Sequence, residues 1–192
     1  GLGDVYKRQT SGTTWHAAGL VSQLGPTAAV TKIRKYTLDL YKKLEKEVDH
    51  SAGLRINGAL SIAQTDARWQ ELKRQATTAQ LYDVDIKILN KDQIKKNYPI
   101  MYTEDLKVGV LMPGDGAADP SGVTHMLAKG ARLGGAKIFE QSPVETILTK
   151  NGRVSGVRVK GQDIECEYVV LASGMWSRQI GEKIGVSIPL YP

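Results

Sequence analysis

A mixed α/β fold of helices, antiparallel hairpins and one parallel-type strand is what this 192-residue sequence predicts. Three observations lead there. Two long stretches, residues 26–49 and 66–81, carry apolar side chains at helical spacing. After residue 144, short alternating segments are divided by Asn151-Gly152 and Gly161-Gln162, which read as hairpin turns. The run YVVLA, residues 168–172, is continuously apolar, as in a strand buried on both faces of a parallel sheet.

The elements follow in chain order. Residues 1–9, GLGDVYKRQ, show no periodicity, and TSGTTWHAAGLVSQLG, residues 10–25, reads as a loop of small and hydroxyl side chains. Pro26-Thr27 opens a helix to about Asp49, with Thr27 as its cap and Val30, Ile33, Leu40, Tyr41, Leu44 and Val48 on its apolar side. Asn57-Gly58 suggests a tight hairpin within LRINGALSIA. Asp66 to about Leu81 is a helix with Trp69, Leu72, Ala76 and Ala79 on one side. Asn90 and Gln93 have capping-box spacing for a short helix that Pro99 stops. A strand, KVGVLM, precedes the glycine-rich turn PGDGAADP.

Asp119-Pro120 then opens a helix to Leu133, ended by Gly134-Gly135, and Gly130 inside it implies close packing on a sheet. Strands are expected at AKIFE, VETILT, RVSGVRVK and DIEC before YVVLA. No internal repeat or low-complexity tract interrupts this order.

Composition narrows the function classes. With 41% hydrophobic and 24% charged residues the chain can bury an ordinary core, and no run reaches the ~18 apolar residues a membrane span requires. The expectation is a soluble protein with no membrane partner. The single cysteine, Cys166, excludes an internal disulfide and a multi-cysteine metal site, so no metal centre is expected. A formal charge of +6 could suggest nucleic acid, but the lysines of the first helix alternate with acids in pairs such as Asp39 and Lys43. A solvated face explains them, and no nucleic-acid partner is expected. Ser-His-Asp arrangements, HExxH, Walker and EF-hand motifs are absent, and the GxG at Gly1 and Gly3 lacks the strand and third glycine of a dinucleotide fingerprint.

His16 stands out. It sits among Gly12, Thr13, Thr14, Ala17, Ala18 and Gly19, where small side chains let backbone N–H groups approach a large planar or anionic ligand and an imidazole adds a nucleophilic nitrogen. A hydrogen-bonded structural histidine satisfies the same composition. His50, at a helix exit, and His125, inside a helix, have weaker cases.

The run TSGTTWHAAGLVSQLG resembles the dimethylglycine and sarcosine dehydrogenase family of the D-amino-acid-oxidase-like flavoproteins. GDGAADPSGVTHMLAKGARLGGAKIFEQSPVETI, NGRVSGVRVKGQDIECEYVVLASGMWSRQIGEKIGV and SIPLYP resemble it in the same order. The likeness covers residues 10–192.

This resemblance implies part of a Rossmann-like FAD-binding domain at residues 10–53 and 112–185, and part of an antiparallel-sheet substrate domain at residues 54–111, resumed at residues 186–192. It implies FAD held covalently through His16, with Gly12, Thr13, Thr14, Trp15, Ala17, Ala18, Gly19 and Leu20 around flavin and pyrophosphate. Val144 would meet adenine through its main chain, although an ordinary strand valine also fits. Gly174 would let backbone pass close to FAD, although a turn glycine also fits. Trp176 reads as packing and Asp119 as a helix cap. No catalytic base can be named.

The activity implied for the parent is oxidation of a CH–NH donor, the oxidative demethylation of dimethylglycine or sarcosine by hydride transfer to the flavin. Tetrahydrofolate, bound outside this chain, and electron-transfer flavoprotein are the further partners implied, in the cytoplasm of a bacterium or the mitochondrial matrix of a eukaryote. The family's dinucleotide fingerprint lies farther upstream of the histidine segment than nine residues allow, so residues 1–9 are expected to be foreign and the chain an internal fragment, inactive by itself. A non-catalytic relative, like the regulatory subunit of pyruvate dehydrogenase phosphatase, is the other reading.

Overall fold

The computed structural model describes residues 9–191. The described residues divide into two compact units: Thr13–Ile138, and residues 9–12 together with residues 139–191. Of the stretch expected to be foreign, all but Gln9 lies outside the described residues.

In the Thr13–Ile138 unit, α1 (Ala28–Glu47) starts at Thr27, whose side chain accepts from Val30 N–H. Its buried stripe runs through Thr31, Leu38 and Val48, while Ile33 is 64% exposed. The expected face was therefore rotated toward solvent at its start, because Thr31 turns inward to bond Gly25 N–H and Thr27 O. The helix carries the ion pair Lys43–Glu47 at 3.4 Å, one turn beyond the expected Asp39–Lys43 pair. Against α1 lies α4 (Pro120–Leu133), joined through Val48, Ala52 and Met126 with Tyr41, Leu44 and Val123 packed around them. Gly130 faces this helix rather than a sheet: a Cβ there would sit 3.4 Å from both Leu44 and Val48.

A three-stranded antiparallel sheet has β4 (Val108–Met112) between β2 (Ala59–Ala63) and β3 (Lys87–Leu89). Alternation along the strands gives it two apolar faces. Helix α2 (Asp66–Leu81) covers one, placing Leu72 and Trp69 on Ala63, Val108 and Val110. The short α3 (Lys91–Asn97) covers the other, with Ile94 among Leu60, Ile62, Leu89 and Leu111. Leu72 and Ile94 are fully buried, and each contributes about 1.5–3 kcal/mol. The Asn90–Gln93 capping box forms in both directions, each bond 2.9 Å.

Asn57-Gly58 does not close a hairpin. Gly58 has φ +80° but its N–H bonds the distant Asp115 carbonyl, while Arg55 bridges Ala117. Long-range pairing overrides the local turn signal here. Ala117 belongs to β5 (Gly116–Ala117), which pairs on its other side with β1 (Leu20–Val21).

The second unit is built on a meander of β6 (Val144–Lys150), β7 (Arg153–Val159) and β8 (Gln162–Glu165). Both turns have two consecutive residues at positive φ, Asn151-Gly152 and Lys160-Gly161, as a twisted two-residue hairpin requires. The second turn thus falls one residue before Gly161-Gln162. Helix α5 (Ser177–Glu182) packs on β6, and Ile147 and Ile180 are buried.

Two expected strands are not formed. AKIFE is loop, with Phe139 71% exposed, and YVVLA is unpaired, with Tyr168 and Val170 86% and 89% exposed. An apolar run becomes a strand only where another backbone completes its hydrogen bonds, and among the described residues neither segment has such a neighbour.

Candidate functional site

The His16 segment begins with one turn of 3-10 helix, Thr14–His16, closed by Ala17 N–H donating to Thr14 O at 3.1 Å. Such a turn throws successive side chains outward. Trp15 and His16 meet edge to face, ring centres 5.0 Å apart at 86°, and both are exposed, Trp15 by 63%. Among the described residues the imidazole has this ring contact and no hydrogen bond. Ala17, Ala18 and Leu20 are exposed as well.

Gly19 fixes how the chain leaves this turn. Its φ of +69° suits glycine, and its carbonyl accepts from Ala118 N–H at 2.8 Å. Any Cβ would lie 2.1 Å from Ala118 O, so backbone lies on backbone just before α4. β1 then pairs with β5 for two residues, Leu20 opposite Ala117 and Val21 opposite Gly116. Asp119 is the α4 cap, its carboxylate accepting from Ser121 N–H at 3.1 Å and Gly122 N–H at 3.0 Å.

Residues 22–24 are held from two sides. Arg34 of α1 donates to Ser22 Oγ at 3.1 Å and to Leu24 O, and Asp115 Oδ1 accepts from Gln23 N–H at 2.8 Å. Asp115 is 1% exposed. Burial raises its carboxyl above the usual range, opposed by the Gln23 N–H bond and by the Arg34 charge. Gln23, Arg34 and Asp115 were not singled out in the sequence; an acid between two glycines, Gly114-Asp115-Gly116, was the available signal.

Of the remaining expected site residues, Gly12 lies in the second unit, where a Cβ would meet the Trp176 ring at 3.4 Å. The half-buried Trp176 ring therefore lies against Gly12. Val144 opens β6, is 37% exposed and pairs with Val159. Gly174 has φ +54°, with open space where a Cβ would stand. Within the Thr13–Ile138 unit the structure brings Thr13 through Leu20 together on one exposed stretch; Gly12, Val144 and Gly174 belong to the other unit.

The residues suit a large, flat, partly apolar ligand bearing acceptors. Alanine side chains leave the backbone accessible, Trp15 and Leu20 offer apolar area, and among the described residues the Ala18 and Gly19 N–H groups donate to no protein acceptor. His50 is half-buried and His125 exposed on α4; among the described residues no group of three His, Cys, Asp or Glu side chains could hold a metal ion. Likewise no helix there is long and apolar enough to cross a membrane.

Residues 5–192 match the family model described as DAO, FAD dependent oxidoreductase. The 4-methylaminobutanoate oxidase (formaldehyde-forming) of Paenarthrobacter nicotinovorans is 35% identical over 181 residues, 94% of this chain and 22% of that protein. Mitochondrial dimethylglycine dehydrogenase of Homo sapiens is 32% identical, with 95% of this chain and 21% of its own length covered. Mitochondrial sarcosine dehydrogenase of Homo sapiens is 35% identical, with 96% and 21% covered. The chain spans about a fifth of these relatives. Among solved structures, L-proline dehydrogenase from P. horikoshii superposes with a TM-score of 0.88 at 25% identity, covering 96% of this chain and 49% of that one.

Proposed function

Because the chain belongs to the DAO family of FAD-dependent oxidoreductases, we propose that it carries part of the flavin-binding machinery of an enzyme that oxidatively demethylates an N-methylated amino acid, dimethylglycine or sarcosine. The names of its relatives, two dehydrogenases of those compounds and an oxidase of a methylamino acid, support that substrate class. Residues 10–53 and 112–185 belong to the cofactor part in this reading, and residues 54–111 and 186–192 to the substrate part.

One observation carries it: His16 is presented to solvent by a 3-10 turn, its ring set by Trp15 and its nitrogens unengaged among the described residues. In the proposed arrangement His16 is the covalent attachment point for the flavin. Gly12 to Leu20 would hold the pyrophosphate and ring, Val144 would meet the adenine through its main chain, and Gly174 would let backbone come close to the cofactor. When bound, FAD supplies the two-electron acceptor for an N-methyl C–H bond, leaving an iminium for water or tetrahydrofolate to take up. The chain's own contribution is to orient ring and amine and to replace water with fixed backbone donors.

On this reading the full-length enzyme acts in the cytoplasm of a bacterium or the mitochondrial matrix of a eukaryote, with electron-transfer flavoprotein as its electron acceptor. Anaerobic mixing of that enzyme with sarcosine or dimethylglycine should bleach the flavin. Bound flavin that no N-methylated amine bleaches would contradict the reading and favour a non-catalytic regulatory relative. By itself the 192-residue chain is proposed to be inactive; FAD titration of the isolated polypeptide checks this, tight binding and turnover being the contrary result.

A further inference from the structure

We propose that Asp115 is a positioning residue for the flavin-bearing segment: its buried carboxylate fixes residues 22–24 and, through them, the seating of β1 behind His16. The proposal rests on the reading of His16 as the flavin-bearing residue.

Asp115 is the one acid among the described residues that is fully buried. An unpaired carboxylate there is costly, so it must be bonded or neutral. It is bonded to the backbone of a segment 92 residues away, Gln23 N–H to Oδ1 at 2.8 Å. Its own carbonyl accepts from Gly58 N–H at 2.8 Å. The glycine that follows permits this convergence: a Cβ on Gly116 would lie 1.9 Å from the backbone oxygen of Arg55. Arg34 grips Ser22 and Leu24 on either side of Gln23.

The clamp matters because the ladder beside it is so short. β1 and β5 share two residue pairs, too few to hold a register unaided. A slip of one residue would turn Leu20 and Val21 to opposite faces and displace the turn bearing His16, four residues upstream. The Gly19–Ala118 bond holds the end of the ladder nearest His16, and Asp115 supplies a second anchor beyond its other end, at Gln23. An acceptor at Oδ1 is what this task requires, and asparagine retains one.

The test uses the full-length protein in a His16→Ala background, where flavin is held without a covalent bond. FAD affinity is titrated by flavin fluorescence, and amide hydrogen exchange is followed over residues 20–25. Asp115→Ala should weaken FAD binding about tenfold and speed that exchange, as loss of one buried hydrogen bond predicts. Asp115→Asn should restore both to within about threefold. Unchanged FAD affinity in Asp115→Ala overturns the proposal while leaving the flavin reading intact. Should Asp115→Ala fail to fold, Asp115→Asn decides alone, and a tenfold loss in it overturns the proposal. A full-length protein that takes up no FAD with Asp115 present overturns the flavin reading and this proposal with it.

Discussion

Ala118 N–H donates to Gly19 O at 2.8 Å, and at that contact no side chain fits: a Cβ on Gly19, held at φ +69°, would lie 2.1 Å from Ala118 O. This single junction ties the strand leaving the His16 turn to the residue just ahead of the α4 cap. The exposed imidazole is therefore mounted on a fixed base.

Gly19→Ala should consequently be severe. The positive φ alone costs about 1 kcal/mol, and the clash with backbone oxygen must add a comparable amount or more because neither partner can rotate away. Gly152→Ala, at φ +74° with open space around it, is the control and should cost about 1 kcal/mol. Thermal unfolding of both variants in the full-length protein checks the contrast; equal losses would remove the steric argument.

Inside the three-stranded sheet, Gly109 lets α3 approach. A Cβ there would sit 2.9 Å from the ends of both Ile94 and Leu60. Gly109→Ala should destabilise by about 1–3 kcal/mol, and adding Ile94→Val should recover part of it by vacating the methyl that collides. A double-mutant cycle by denaturant unfolding measures the coupling, and strict additivity would argue against direct contact.

The caps test whether Asp119 has any task beyond its helix. It accepts from two N–H groups of α4. Asp119→Ala should cost about 1 kcal/mol, and Asp119→Asn a few tenths, with no change in the pH dependence of turnover for Asp119→Asn. A shifted pH profile would instead mark Asp119 as a proton-transferring group.

Those caps and the helices they open were legible because their causes are local. Thr27, Asn90 and Asp119 each sit within three residues of the amides they satisfy, and α2 and α4 carry their apolar spacing on their face. Strand pairing is different. Asn57-Gly58 has the composition of a hairpin turn, yet its partner is Asp115, a residue chosen by the fold rather than by neighbours. YVVLA has the composition of a buried strand, but composition says nothing about which backbone completes it. The site divides in the same way. His16 and its small neighbours stand out as a segment, whereas Asp115 and Gln23 become meaningful only once the fold has closed a separation of 92 positions to 2.8 Å.

Asp115 also makes a pH prediction. Burial lifts its carboxyl above the ordinary 3.8, so the folded protein holds the proton more tightly than the unfolded chain. The stabilisation from that proton is complete below 3.8 and is lost as pH rises through the folded value. Asparagine cannot titrate there. The unfolding midpoint of Asp115→Asn minus that of the unmutated protein should thus be more positive at about pH 7 than at about pH 3.5. A difference that falls with rising pH would reverse the sign and contradict the burial argument.

The most direct measurement concerns His16 itself. The full-length protein, denatured in acid and digested with protease, should release a yellow, fluorescent peptide whose mass equals the His16-containing sequence plus flavin, and His16→Ala should yield none. Flavin that separates freely from every peptide of the unmutated protein, or that remains attached in His16→Ala, would contradict the central claim.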